Sequence, residues 1–372
     1  MDINYRIELR DRSFNLLEVL DKEIIDPCWE YSRIGGCGGF SFSLPREYCN
    51  EKHISGDFNI RIYKWNTTTK TYDLIYQGLV EDKLPSVRGS QEVIEVQGHG
   101  YLAQLSRIYI DHDYTSTEVS AIVKDILDNY VVPNTNITYD AGDIVATGFT
   151  PDSLSFNTDA KRALQTCADI VGSREWGVDK NRKFFFKARS ETVGFRYPLG
   201  QKVTDFNNDD SFKDIVNRVI IQGGDVSGTP YTKTYDNIPS QTKYNRRDRV
   251  VQNSAITTDT VSAQFAEALF TEFADIVRRA RCNMVDDDTI FESTIPIPMF
   301  QLLTSGITYG EKKYGTFLYA GRIEYQVNRI SYSIGNVGKL KISLQLGQLR
   351  PSVSEAIAQL EYELEQQRQE NL

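Results

Sequence analysis

The triplet Asp111-His112-Asp113 comes nearest to acid–base chemistry in this sequence. A carboxylate can orient one ring nitrogen of a histidine and leave the other to accept a proton. No serine or cysteine stands in a Gly-x-Ser-x-Gly elbow to use such a base, so the triplet reads as a linker histidine with solvated neighbours. Cys28, Cys37, Cys49 and His53 supply the donor types of a three-cysteine, one-histidine zinc site. Structural zinc sites bring cysteines in pairs about two to four residues apart, and no two of these cysteines lie so close. Thiols facing a core are the plainer reading. The acidic runs Asp209-Asp210 and Asp286-Asp287-Asp288 lack the spaced alternation of a calcium loop and read as exposed turns. Gly35-Gly36-Cys37-Gly38-Gly39 is followed by neither Lys-Ser nor Lys-Thr nor a helix, so it reads as a hairpin turn and not as a phosphate cradle. No catalytic residue, metal or cofactor is assigned.

The elements that must carry these side chains are bounded by composition. A chain of 372 residues has room for about two or three domains, each with its own core. Its 21 Tyr and 18 Phe favour strands and buried contact surfaces. The net charge of -9 and the absence of a basic cluster argue against grip on nucleic-acid phosphates. The densest basic run, Arg246, Arg247 and Arg249, is broken by Asp248. No apolar run reaches the roughly 18 residues needed to cross a bilayer. The charged, alternating N-terminus implies no export signal, and five sparse cysteines suit a reducing cytoplasm.

Period-two alternation marks strands through the first hundred residues: FSFSL at 40–44, FNIRIY at 58–63 and QEVIEVQ at 91–97. From residue 112 the period lengthens. Val119, Ile122, Val123, Ile126 and Tyr130 predict a helix, with Thr115 and Glu118 as its capping box. A second helix is expected over 159–171, then a hairpin in which Trp176 and Val178 face Phe184 and Phe186. NRVIIQGG at 217–224 predicts a strand, followed by a polar loop of some 25 residues and a helix over 261–281. Strands resume at TIFESTIPI, FLYAGRIE, RISYSI and KLKISLQLG. The expected divisions are 1–110, a first β-barrel; 111–200, a small α+β domain; 201–348, a second β-barrel with an inserted helix; and 349–372, a C-terminal helix. The fold class is thus mainly β with α+β, two related tube-like barrels flanking the α+β domain.

The two barrels are paired by an echo. LIYQGLVE at 74–81 is answered by FLYAGRIE at 317–324, so that Tyr76, Gly78 and Glu81 recur as Tyr319, Gly321 and Glu324. A polar turn precedes each copy, and an alternating strand ending in Gly follows each, VIEVQG and LQLG. Shared order over some 40 residues favours duplication over chance. Each copy is expected at the end of a strand, crossing into the next through its glycine. In the last segment Val353, Ile357, Leu360 and Leu364 form a helical stripe. It could dock on the chain's own barrel or meet its copies in a short coiled coil, and Gln367 and Asn371 end the apolar run.

The order of these segments resembles the baseplate hub or tail-tip hub proteins of tailed bacteriophages. The resemblance is carried by a Trp-containing segment leading through Gly into FSFSLP, then GDFNIRIY, YQGLVE and VIEVQGHGYLAQL, the hairpin WGVDKNRKFFF, and NRVIIQGG. It covers most of the chain and rests on patterns, with no signature motif. It implies a homotrimer whose two barrels per chain make a pseudo-sixfold ring, joining the hexameric tail tube to the threefold tip. Its implied partners are a tail tube or distal tail protein ring, the tape measure protein and tail fibre or tip proteins, with DNA only in transit and no stable membrane insertion. It places the protein in the virion tail, made in the host cytoplasm; in a departure from larger hubs, no wall-digesting or fibre domain is expected after the second barrel. An acidic channel wall would not hold phosphate. Two rivals stand beside this reading. A carbohydrate- or receptor-binding module would present aromatic side chains on loops, and a cell-wall hydrolase would depend on His112 or Asp113.

Overall fold

In this computed structural model the described residues are 5–20, 24–46, 54–88, 91–151, 153–171, 174–198, 202–226, 228–252, 256, 258–285, 289–304, 307–309, 312–314, 321–334 and 340–347. The chain is mainly β with few helices. It divides into two compact units, Met1–Phe206 with Arg281–Leu346, and Asn207–Ala280 with Gly347–Leu372.

Alternation drives the first seven strands of the larger unit. They are β1 (Tyr5–Arg10), β2 (Leu16–Leu20), β3 (Ile25–Ser32), β4 (Gly35–Pro45), β5 (Asn59–Asn66), β6 (Thr71–Arg88) and β7 (Gln91–His99). Ile7 and Leu9 of β1, Phe40, Phe42 and Leu44 of β4, and Ile60 and Ile62 of β5 are all at most 4% exposed, as period-two burial requires. The strands run in the order β3-β4-β7-β6-β5-β1-β2. Gly35 to Gly39 were expected to form a turn. They open β4 instead, with Tyr31 opposite Cys37, and the turn falls at Arg33 and Ile34. Of the four glycines only Gly35 and Gly36, the first two residues after the turn, take positive φ, +111° and +75°.

A mixed layer follows: β8 (Tyr109–Thr115), helix α1 (Val119–Ile126), β9 (Ser153–Asp159), helix α2 (Ala160–Val171), β10 (Arg174–Val178) and β11 (Phe184–Ala188). One core holds Val119, Ile122, Val123 and Ile126 against Ala163, Leu164 and Cys167, and extends to Trp176, Phe184 and Phe186. In the β10–β11 hairpin Trp176 pairs with Phe186 and Val178 with Phe184. The cap of α1 is Glu118 itself and not a Thr115–Glu118 box. Its carboxylate accepts from the Ala121 and Gly148 amides at 3.2 and 3.1 Å, and from the Thr147 amide at 2.7 Å. A carboxylate at a helix start can satisfy amides that the first turn leaves open, here together with two from a distant loop.

The chain continues through β12 (Val193–Pro198) and β13 (Val203–Ser211), and the unit boundary falls inside β13. The smaller unit holds β14 (Arg218–Val226), β15 (Thr229–Asp236), helix α3 (Ile238–Tyr244), β16 (Asp248–Gln252) and helix α4 (Asp259–Phe273). Strand β14 pairs antiparallel with β15 and parallel with β16. The expected polar loop is therefore a strand, a helix and a second strand. Its signal was masked because β15 buries none of its residues fully; Tyr231, Lys233 and Tyr235 are half-buried and the residues between them exposed. Val219 and Ile221 meet Phe265, Ala266, Leu269 and Phe273 in this unit's core. Helix α4 ends at Phe273, eight residues short of the expected end. Beyond it Ala280, Cys282 and Met284 are buried while Arg279, Arg281 and Asn283 are exposed, a period of two that makes β17 (Val277–Val285).

Back in the larger unit come β18 (Met299–Thr304), β19 (Ile307–Tyr309), β20 (Lys312–Tyr314), β21 (Gly321–Tyr325), β22 (Val327–Ile334) and β23 (Leu340–Gly347). Strand β22 pairs with β3 and with β23, carrying the large sheet onward to β17 and β13. Leu340, Ile342, Leu344 and Leu346 are each at most 2% exposed. A small separate sheet takes β12, β18 and β21. TIFESTIPI does not form a strand. Its Phe291–Ser293 segment is a single 3-10 turn that buries both Phe291 and Glu292.

Candidate functional site

Of the residues that suggested chemistry, those described are not brought together. His112 lies exposed on β8, and Asp111 and Asp113 project from the opposite face, because neighbours on a strand alternate. The contact of His112 is with the Tyr114 ring, centroids 4.5 Å apart. Cys28 Sγ sits 3.1 Å from Ser41 Oγ, and Cys37 is buried opposite Tyr31. Burial pushes the Cys37 thiol well up, away from the thiolate a metal would take. Cys49, His53 and Asp286 to Asp288 lie outside the described residues. Asp209 and Asp210 stand within β13 and not in a turn. Among the described residues no three His, Cys, Asp or Glu gather as a metal site.

The first copy of the echo sits in the middle of β6. Tyr76 is 1% exposed, and its hydroxyl donates to the Gly38 carbonyl at 2.6 Å. Burial above all, with the Cys37 and Glu30 side chains adding, pushes the Tyr76 hydroxyl far up, so it stays a donor. Gly78 was expected to end a strand. Instead β6 continues and changes partner there. Residues up to Leu79 pair with β5, and from Leu79 onward the strand pairs with β7. A Cβ on Gly78 would lie 2.7 Å from the His99 carbonyl oxygen, so the crossing needs a residue without one. Glu81 is the extra residue where the β6–β7 register slips between Val80 and Asp82. The bulge turns its carboxylate to within 3.6 Å of His99 Nε2 and 3.8 Å of Arg107 Nη2. Glu81 and His99, with Trp29, Phe40 and Tyr332, line an open concavity of about 430 Å3.

The second copy is described in part. Tyr319 lies outside the described residues, as do Val353, Ile357, Leu360 and Leu364. Gly321 and Glu324 stand on β21, opposite Thr304 and Gln301 of β18. Gln301 Nε2 donates to Glu324 Oε1 at 2.7 Å. Both copies therefore lie on strands paired antiparallel, but the register of β21 with β18 is unbroken and Glu324 meets an amide where Glu81 meets the His99 imidazole and the Arg107 guanidinium.

Sequence reasoning missed a buried clamp. Arg33 and Glu175, with side chains 0% and 1% exposed, pair at 2.9 Å. Glu175 accepts from the Ile297 amide at 3.0 Å and Arg33 donates to the Ile297 carbonyl at 3.1 Å. The clamp ties the β3–β4 turn, β10 and the segment before β18 together over a separation of 264 residues, which no local pattern encodes. Glu292 is buried beside Tyr332, whose hydroxyl donates to it at 2.6 Å.

Comparison with known proteins places the fold. No protein family and no curated protein matches the sequence. Solved structures do match. The 43 kDa tail protein of prophage MuSo2 from Shewanella oneidensis has 13% identity and a TM-score of 0.62, over 92% of this chain and 97% of that one. The tail protein from Neisseria meningitidis MC58 has 8% identity and a TM-score of 0.62, over 93% and 97%. Prophage tail protein gp18 from Listeria monocytogenes EGD-e has 12% identity and a TM-score of 0.56, over 95% and 98%. The chain shares its fold with these tail proteins along nearly its whole length.

Proposed function

We propose that this chain is a structural hub protein of the baseplate or tail tip of a tailed bacteriophage, and acts in the virion tail without catalysis. The observation that carries the reading is mutual coverage: the fold spans 92% of this chain and 97% of a prophage tail protein, leaving little of either outside the likeness. Three copies form a pseudo-sixfold ring, each giving two related barrels, one from 1–110 and one from 201–348, around an α+β domain at 111–200. The ring joins the hexameric tail tube, or a distal tail protein ring, to the threefold tip. Tape measure and tail fibre or tip proteins are its further neighbours, and DNA passes through. In this reading the echo of 74–81 in 317–324 serves symmetry, because a ring of three chains with six similar edges can meet a sixfold tube.

The test is the solution mass of the purified chain by light scattering, with negative-stain images of the same sample. A mass of three chains and a ring with a central hole is expected. A stable monomer at high concentration with no ring would shift the reading to a carbohydrate- or receptor-binding module.

A further inference from the structure

A cavity of about 240 Å3 opens in the larger unit among the β10–β11 turn, the Asp140–Asp143 turn and the Phe291–Ser293 turn. Its volume is far more than the 10–15 Å3, roughly, that one water occupies. It is lined by charge, and most of that charge is neutralised in place. Lys183 pairs with Asp140, and Lys187 Nζ lies 2.8 Å from Asp143 Oδ1. Asp179 accepts the Asn181 and Lys183 amides, both at 2.8 Å.

Of the polar groups that remain, two are more than nine-tenths buried. Glu292 is 3% exposed, accepts hydrogen bonds from the Tyr332 hydroxyl and its own amide, and feels the charges of Lys180 and the buried Lys64. Tyr31 is 2% exposed, lines the cavity, and its hydroxyl has no hydrogen-bond partner among the described residues. After burial and Cys37, the groups that push the Tyr31 hydroxyl up are carboxylates, those of Glu292, Asp179 and Glu175. Burial pushes the Glu292 carboxyl up, and a cation in the same cavity would hold it ionised while donating to the unused Tyr31 hydroxyl. The carboxylates here do not gather in threes around a metal position. An ammonium suits them better, having three donors and no acceptor.

We propose that this cavity binds a primary alkylammonium group, either a short free amine or the end of a lysine side chain, held by the Glu292 carboxylate and the Tyr31 hydroxyl. The site does not depend on the hub reading. Its built-in competitor is Lys180, half-buried at the cavity and close enough for its charge to act on Glu292.

The experiment titrates the full chain with n-butylammonium chloride, following binding by calorimetry and nuclear magnetic resonance. Tetramethylammonium chloride and sodium chloride at equal ionic strength are the controls. Saturable binding of n-butylammonium alone is expected. It should weaken about tenfold or more in Tyr31→Phe and in Glu292→Gln. Tyr31→Phe keeps the ring in place, so it decides the matter if Glu292→Gln fails to fold. N-acetyl-lysine methylamide separates the two sources: tighter binding than n-butylammonium assigns the site to a side chain, weaker binding to a free amine. The proposal is overturned by no saturation, by equal binding of tetramethylammonium, or by unchanged affinity in a folded variant. Binding that emerges only in Lys180→Met would also overturn it, since Lys180 would then be the occupant.

Discussion

Gly78 and Glu118 are single residues whose local geometry sets the course of a whole segment. At Gly78, β6 passes from β5 to β7 with the His99 carbonyl in the place of a side chain. Gly78→Ala should therefore cost about 1–3 kcal/mol, the usual range for overpacking. Urea denaturation checks it against Gly142→Ala, where nothing lies within 4 Å of the new Cβ. At Glu118, burial raises the carboxyl, but hydrogen bonds from Ser120, Thr147 and Ala121 outweigh it and hold it at about 2. A carboxylate depressed by folding contributes stability that is present above its unfolded value, near 4.5, and lost as the pH falls toward 2. Glu118→Ala should cost about 0.5–2 kcal/mol at neutral pH, as cap losses do. It should also flatten the acid limb of the stability curve between those values; an acid limb as steep as that of the wild type would assign the loss to other carboxylates.

Elements were legible where burial is one-sided. Leu340, Ile342, Leu344 and Leu346 announced β23, because a strand with one buried face writes its period directly into the sequence. Helix α2 was legible for the same reason, with Ala163, Leu164 and Cys167 on its inner face. Strand β15 was not, since none of its residues is fully buried and a polar strand looks like a loop. The end of α4 was misplaced because Ile276 continues the helical stripe by one step, while the alternation of Ala280, Cys282 and Met284 takes over beyond it. Leu269 anchors α4 on β14 in a core confined to the smaller unit. Leu269→Ala should cost about 2–5 kcal/mol in that unit. Hydrogen exchange should then quicken at Val219, Ile221 and Val251 while amides of Ile342 and Leu344 keep their protection. Equal loss in both places would mean that the two units unfold as one.

At the scale of the whole molecule, Val353, Ile357, Leu360 and Leu364 share one stripe of the helix expected over 349–372, which can dock on the chain's own barrel or meet its copies. Ile357→Asp with Leu360→Asp should weaken assembly and leave each chain folded. Light scattering and circular dichroism of the same sample check both halves of that statement, and unaltered assembly would remove the stripe from the contacts. Charge belongs to this scale too. In the proposed hub a net charge of -9 would disfavour a grip on DNA phosphates, as a channel wall requires.

The sequence by itself determined the mainly β class, the positions of most strands, both helices of the middle segment and the order of segments that resembles tail hub proteins. These follow from periodicity and turn residues, which are local and need no knowledge of distant neighbours. Tertiary structure alone decided three things: that His112 is parted from the carboxylates beside it, that Arg33 meets Glu175 and the backbone of Ile297, and that Glu292 and Tyr31 face one cavity. Each depends on where a strand's pleat points or on which remote segment closes over it. Contacts across 122 and 264 residues leave no period in the chain to read.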